Sequence, residues 1–127
     1  MVKYRYEKAQ DTLDAAKALF TENRFNHAVN RYYYAAFYAI QSLLATLELE
    51  SRKHSGSISL FNKHFVKSGI FDKKYARISM NLFDERNDAD YQDFKVFSKQ
   101  EVDNLRSGVN DFLQAVGNYL SEKEWLA

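Results

Sequence analysis

The stretch Asn23–Leu44, NRFNHAVNRYYYAAFYAIQSLL, decides the fold. Two adjacent apolar rows run along it at helical spacing. One is Phe25, Val29, Tyr32, Ala36, Ala39 and Leu43; the other is Tyr33, Phe37, Ile40, Leu44 and, one turn further, Leu47. A helix from about Arg24 to Glu48 would then be apolar over more than half its circumference. Such a helix is the central one of a bundle or is covered by a second subunit. The narrow stripe left over holds His27, Arg31, Tyr34, Tyr38 and Gln41. Imidazole, guanidinium and phenol groups hydrogen-bond phosphates and stack on bases. Phenols at this density also serve as amphipathic packing at a helix or subunit boundary.

Outward from this segment the chain reads as helices joined by short loops. Zero proline, four glycines and long patterns of helical period leave little room for strands, so the class is all-α. A first helix is expected near Tyr4 to Glu22, with Tyr6, Ala9, Leu13, Ala16 and Phe20 on one face. A third starts near Ser55 and ends at Lys67 or Ser68, where Gly69 supplies a left-handed closing residue. A fourth covers roughly Phe71 to Ala89. The last has Ser98 as N-cap, Glu101 as capping-box partner and Phe97 with Val102 as hydrophobic staple. Its stripe is Val102, Leu105, Val109, Phe112, Val116 and Leu120. The aromatic-rich loop from Tyr91 to Phe97 is expected to pack back over the bundle.

Composition narrows the function classes. The 127 residues make one domain spanning 1–127, long enough to bury a core without staples. There are no cysteines, which excludes disulfides and thiolate metal sites and fits a cytoplasmic location. Met1–Gln10 is charged and lacks the apolar core of a secretory signal. The longest uncharged run, Tyr32 to Leu47, is too short to cross a bilayer, so no membrane partner is expected. Net charge is only +1, but its distribution is uneven. Arg52 to Arg77 carries seven lysines and arginines against Asp72 alone, while Asp84 to Asp103 is acidic overall. A basic stretch of this kind reads as a solvated face or as an anion-binding one.

Arg86 stands out within the fourth helix. Tyr75, Ile78, Leu82 and Arg86 share one face, so an inward apolar stripe ends in a guanidinium. That group is always charged and costly to desolvate unpaired. Either Asp90, four residues on, pairs with it, or it receives an anionic ligand such as phosphate. Other chemistry is weak. His27, His54 and His64 form no i,i+4 pair, so no metal site is expected. Nor is there a glycine-rich phosphate loop or a nucleophile elbow, and no cofactor is called for.

Three segments in order, Asn23–Leu44, Arg52–Asp72 (RKHSGSISLFNKHFVKSGIFD) and Arg86–Tyr91 (RNDADY), together resemble the HEPN domains, in particular the free-standing bacterial and archaeal ones. The resemblance covers about Tyr6 to Leu120. It implies an up-and-down helical bundle of four long helices plus a shorter helix, usually a homodimer, with the helix bearing Arg86 near the dimer cleft. It also implies a nucleotide- or RNA-binding protein paired with a minimal nucleotidyltransferase as toxin and antitoxin, the HEPN member being a metal-independent ribonuclease in many relatives. Arg86 and Asn87 match the arginine and polar residue of the nuclease branch. Tyr91, Gln92 and Asp93 stand where its histidine would fall, four to six positions on. A phenol with a pKa near 10 is a poor general base at neutral pH. His54 or His64 would substitute only if the fold brought one beside Arg86. The expected ligand-binding residues are Arg86, Asn87, Tyr91, Arg31, Tyr34 and Tyr38, with nuclease activity absent or weak. The alternatives are an active endoribonuclease toxin and a structural dimer without ligand.

Overall fold

A computed structural model describes residues 1–91 and 96–127, excepting the side chains of 85–91. Among the described residues the chain forms α1 (Val2–Thr21), α2 (Phe25–Thr46), α3 (His54–Phe61), α4 (Lys73–Tyr91) and α5 (Lys99–Glu122). Four are long and α3 is short, as expected for the up-and-down bundle. No strand is present among the described residues.

α2 is the central helix, packed against α1, α3, α4 and α5. Ten of the eleven residues of its two apolar rows are covered to some degree within the chain; Leu47, at 47% exposure, is the exception. This decides between the two readings of that surface in favour of the central helix of a bundle. The width of the apolar surface does not call for a second subunit, because four neighbouring helices of the same chain cover it.

Local chemistry explains the turns. Between α1 and α2, Asn23 takes a left-handed conformation (φ 62°), and Arg24 N–H donates to the Leu19 carbonyl at 2.9 Å. Asparagine tolerates that region better than most residues. The third helix does not run evenly to Lys67. After α3 the backbone widens into a π-helical turn over Asn62–Val66, in which Lys67 N–H reaches back to the Asn62 carbonyl at 2.8 Å. Phe61 and Phe65 both point inward there and stack at 6.2 Å, with Phe112 of α5 edge-on to Phe61 at 5.5 Å. Gly69, at φ 86°, then turns the chain, as its position after the helix predicts. Phe71 N–H closes back on the Phe65 carbonyl at 2.8 Å.

The start of α5 follows its sequence signal. Ser98 Oγ accepts from Glu101 N–H at 3.1 Å, while Glu101 Oε1 accepts from Ser98 N–H at 3.3 Å. Phe97 and Val102, the staple pair, are both buried. Phe97 also anchors the end of the preceding loop on α2, where its N–H donates to Asn26 Oδ1 at 3.4 Å. Residues 92–95 of that loop lie outside the described residues.

Candidate functional site

The stripe on α2 left uncovered by the two apolar rows is where polar chemistry collects. Its members are spaced for side chains to meet along one helix face. Arg31 is held by Asn30, whose Oδ1 accepts from Nε at 3.1 Å and from Nη2 at 2.8 Å. This aims the guanidinium over the Tyr34 ring, 4.9 Å from its centroid. Tyr34 meets Tyr38 at 5.9 Å, and Lys8 of α1 places its ammonium 4.5 Å above the Tyr38 ring. Arg31, Tyr34 and Tyr38 are therefore brought together as the sequence suggests. Lys8 is an addition that the reading of α2 by itself could not supply. His27, which is exposed, lines a shallow depression of about 240 Å³ with Leu19, Arg24, Asn30 and Arg31.

The two candidate acid-base histidines part company. His54 opens α3 and lies against the middle of α2, where its Nδ1 and the Tyr33 hydroxyl are 2.8 Å apart. Its ring packs on Phe37 at 4.3 Å and meets Tyr34 edge-on at 5.7 Å. Tyr33 in turn contacts Phe83 of α4 at 6.1 Å. His64 lies ten residues further along, in the π-helical turn, and none of the ring contacts around His54 includes it. The sequence reading placed Tyr33 and Phe37 in the core only. No helical spacing relates residues 33 and 54, so nothing local marks Tyr33 as the partner of His54.

Arg86, Asn87 and Tyr91 fall within the span of α4, but their side chains, with that of Asp90, lie outside the described residues. So do Gln92 and Asp93. The seven basic side chains between Arg52 and Arg77 are all exposed. Among the described residues no three histidine, aspartate or glutamate side chains gather as a metal site would require. No described helix is long and apolar enough to cross a membrane.

Residues 2–119 match the HEPN domain. The chain belongs to the HEPN family. A UPF0332 protein of Thermotoga maritima is 33% identical over 122 residues, 96% of this chain and 92% of its own. Two Methanocaldococcus jannaschii proteins, each named as a candidate toxin, are 32% identical over 120 residues and 34% identical over 116. They cover 94% and 91% of this HEPN chain, and the matches span 82% and 86% of their own lengths.

Proposed function

We propose that this HEPN protein binds RNA or a nucleotide, as the toxin-like member of a pair whose other member is a minimal nucleotidyltransferase. The phosphate would be held by Arg86 and Asn87, with Tyr91, Arg31, Tyr34 and Tyr38 contributing contacts. The single observation that carries the reading is the setting of His54. This imidazole is fixed by Tyr33 beside the Arg31–Tyr34–Tyr38 stripe, in an aromatic cluster that includes Phe83. Arg86 and Asn87 follow Phe83 by three and four residues in the same helix, the spacing of neighbours on one helix face. A guanidinium, a carboxamide, an imidazole and two phenols are complementary to a phosphodiester and its bases. The names of the two Methanocaldococcus jannaschii relatives support the toxin side of the pair. The homodimer rests on the resemblance to the family.

His54 also favours a second reading, in which the protein cleaves RNA without metal. Cleavage by the ribose 2′-hydroxyl needs a proton acceptor near neutrality, which the residues following Arg86 do not supply and an imidazole does. The deciding experiment is incubation of the purified protein with labelled single-stranded RNA in EDTA, following binding by anisotropy and cleavage on gels. Binding that disappears in Arg86→Ala, while helicity and melting temperature stay near wild type, supports the proposal. Retained binding in Arg86→Ala with a loss of about 1 to 3 kcal/mol of stability would instead mean a structural ion pair and sink it. Chelator-resistant cleavage abolished by His54→Ala would establish the second reading.

A further inference from the structure

The cations that flank the tyrosine stripe continue past the candidate site. Along the seam between α1 and α2 the order is Arg31 over Tyr34, Lys8 over Tyr38, and then Arg5, whose Nη1 donates to the Gln41 carbonyl at 3.3 Å. Arg31 to Gln41 is ten residues of helix, a rise of about 15 Å. Beyond Gln41 the seam opens into a groove of about 710 Å³ lined by Lys3, Arg5, Glu48, Glu50 and Trp125, the last 43% exposed.

The charge on this seam is not neutralised locally. α2 contains no aspartate or glutamate between Phe25 and Thr46. Among the described residues, Arg5, Lys8 and Arg31 have no carboxylate within ion-pairing distance; neutral groups hold them instead, namely two rings, an amide oxygen and a backbone carbonyl. Asp11, one turn on from Lys8, makes no ion pair with it. Cations held by aromatic faces and carbonyls keep their full charge available to an outside anion, whereas cations matched to carboxylates do not.

We propose that this seam is a track for single-stranded RNA leading from the candidate site as far as Arg5, short of the carboxylates of Glu48 and Glu50 in the groove. Arg5 and Lys8 would meet backbone phosphates, and the partly exposed rings of Tyr34 and Tyr38 would take bases. Alternating cations and aromatic platforms are the arrangement that binds single strands with little sequence preference. A duplex fits it poorly, since its bases are already stacked and its grooves call for inserted elements. The proposal rests on the RNA-binding reading above and adds a direction and a length to it.

The test is the length and salt dependence of binding, measured by fluorescence anisotropy on the full chain with a mononucleotide and with a single-stranded RNA of about ten nucleotides. Lys8→Ala and Arg5→Ala should each weaken oligomer binding and lower the slope of log affinity against log salt by about 0.7, one phosphate contact's worth. Tyr38→Ala should weaken it at least about fivefold, the low end for a stacked base, whereas Tyr38→Phe should retain it. Mononucleotide binding should be unchanged in Lys8→Ala and Arg5→Ala, which lie outside the candidate site. If the oligomer binds all four like the wild type yet not Arg86→Ala, the track is wrong and the candidate site stands. Failure of the wild type to bind any RNA overturns both. Seam variants that alter the mass by light scattering but not RNA affinity would make the seam a protein interface and also overturn the track.

Discussion

Tyr33 and His54 are joined by a 2.8 Å hydrogen bond although they belong to different helices, with the end of α2 and a loop between them. The bond fixes the imidazole at Nδ1, and the 4.3 Å contact with Phe37 fixes the plane of the ring. A histidine restrained in both ways is set up either as a structural latch for the start of α3 or as a positioned acid-base group. These roles make different demands on the phenol. Tyr33→Phe removes the hydroxyl and should cost about 1 kcal/mol of stability in either case. In EDTA, wild-type cleavage of RNA should be absent or very weak. Any that is found should fall in both Tyr33→Phe and His54→Gln and be untouched in His64→Gln. Dependence on His64 instead would remove the aromatic cluster from the chemistry.

α1 and α5 meet through a glycine. A Cβ at Gly117 would run into the Tyr6 hydroxyl, which donates to the Leu113 carbonyl at 3.2 Å. Gly117→Ala should therefore destabilise by about 1 to 3 kcal/mol through overpacking, despite alanine's better helix propensity. In a Tyr6→Phe background the same change should cost less, because the clashing oxygen is gone. Denaturant melts of the four proteins of that cycle measure the coupling. Additive costs would show that the helices are not held at this point.

Tyr32 is fully buried between α2 and its neighbours, and its hydroxyl has no hydrogen-bond partner among the described residues. Burial pushes its pKa up to about 12, against a smaller opposing pull from Arg106. A raised folded-state pKa contributes stability that is complete below the unfolded value near 10 and is lost as pH rises through about 12. Tyr32→Phe should thus be neutral or slightly stabilising at pH 7. It should also flatten the fall in stability between pH 10 and 12. Urea midpoints across that range test it, and a large loss at neutral pH would mean that the hydroxyl is satisfied in solution.

The proposed homodimer would use a face other than the apolar rows of α2, since all of those residues but Leu47 are covered within one chain. On α4, Met80 is 44% exposed beside the exposed Arg77. Light scattering should give about twice the 14.9 kDa chain mass. Met80→Glu should shift it toward the single-chain value. A concentration-independent monomer in the wild type would end the dimer proposal.

The elements were legible in the sequence because the signals that make them are local. The capping box of Ser98 and Glu101, the closing Gly69 and the apolar stripe of α5 each depend on residues a turn apart, and each appears as expected. α1 begins at Val2 rather than Tyr4 and α4 at Lys73 rather than Phe71, shifts at helix ends where a residue more or less changes little. The π-helical turn was not legible. Asn62–Val66 has ordinary helical residues, and the widening accompanies the inward packing of Phe61 and Phe65, which involves α5 as well.

By itself the sequence determined the helical class, the order of the helices and the central character of α2, which follow from short-range periodicity, and the membership in the HEPN family, which rests on its similarity to that family over residues 2–119. Only the tertiary structure decided that α2 is covered by its own chain. It likewise decided that His54 rather than His64 joins the tyrosine stripe, and that Lys8 of α1 caps Tyr38. These depend on the register of one helix against another, which is set by the interlocking of side chains distant in sequence. No residue spacing within a single helix encodes that register.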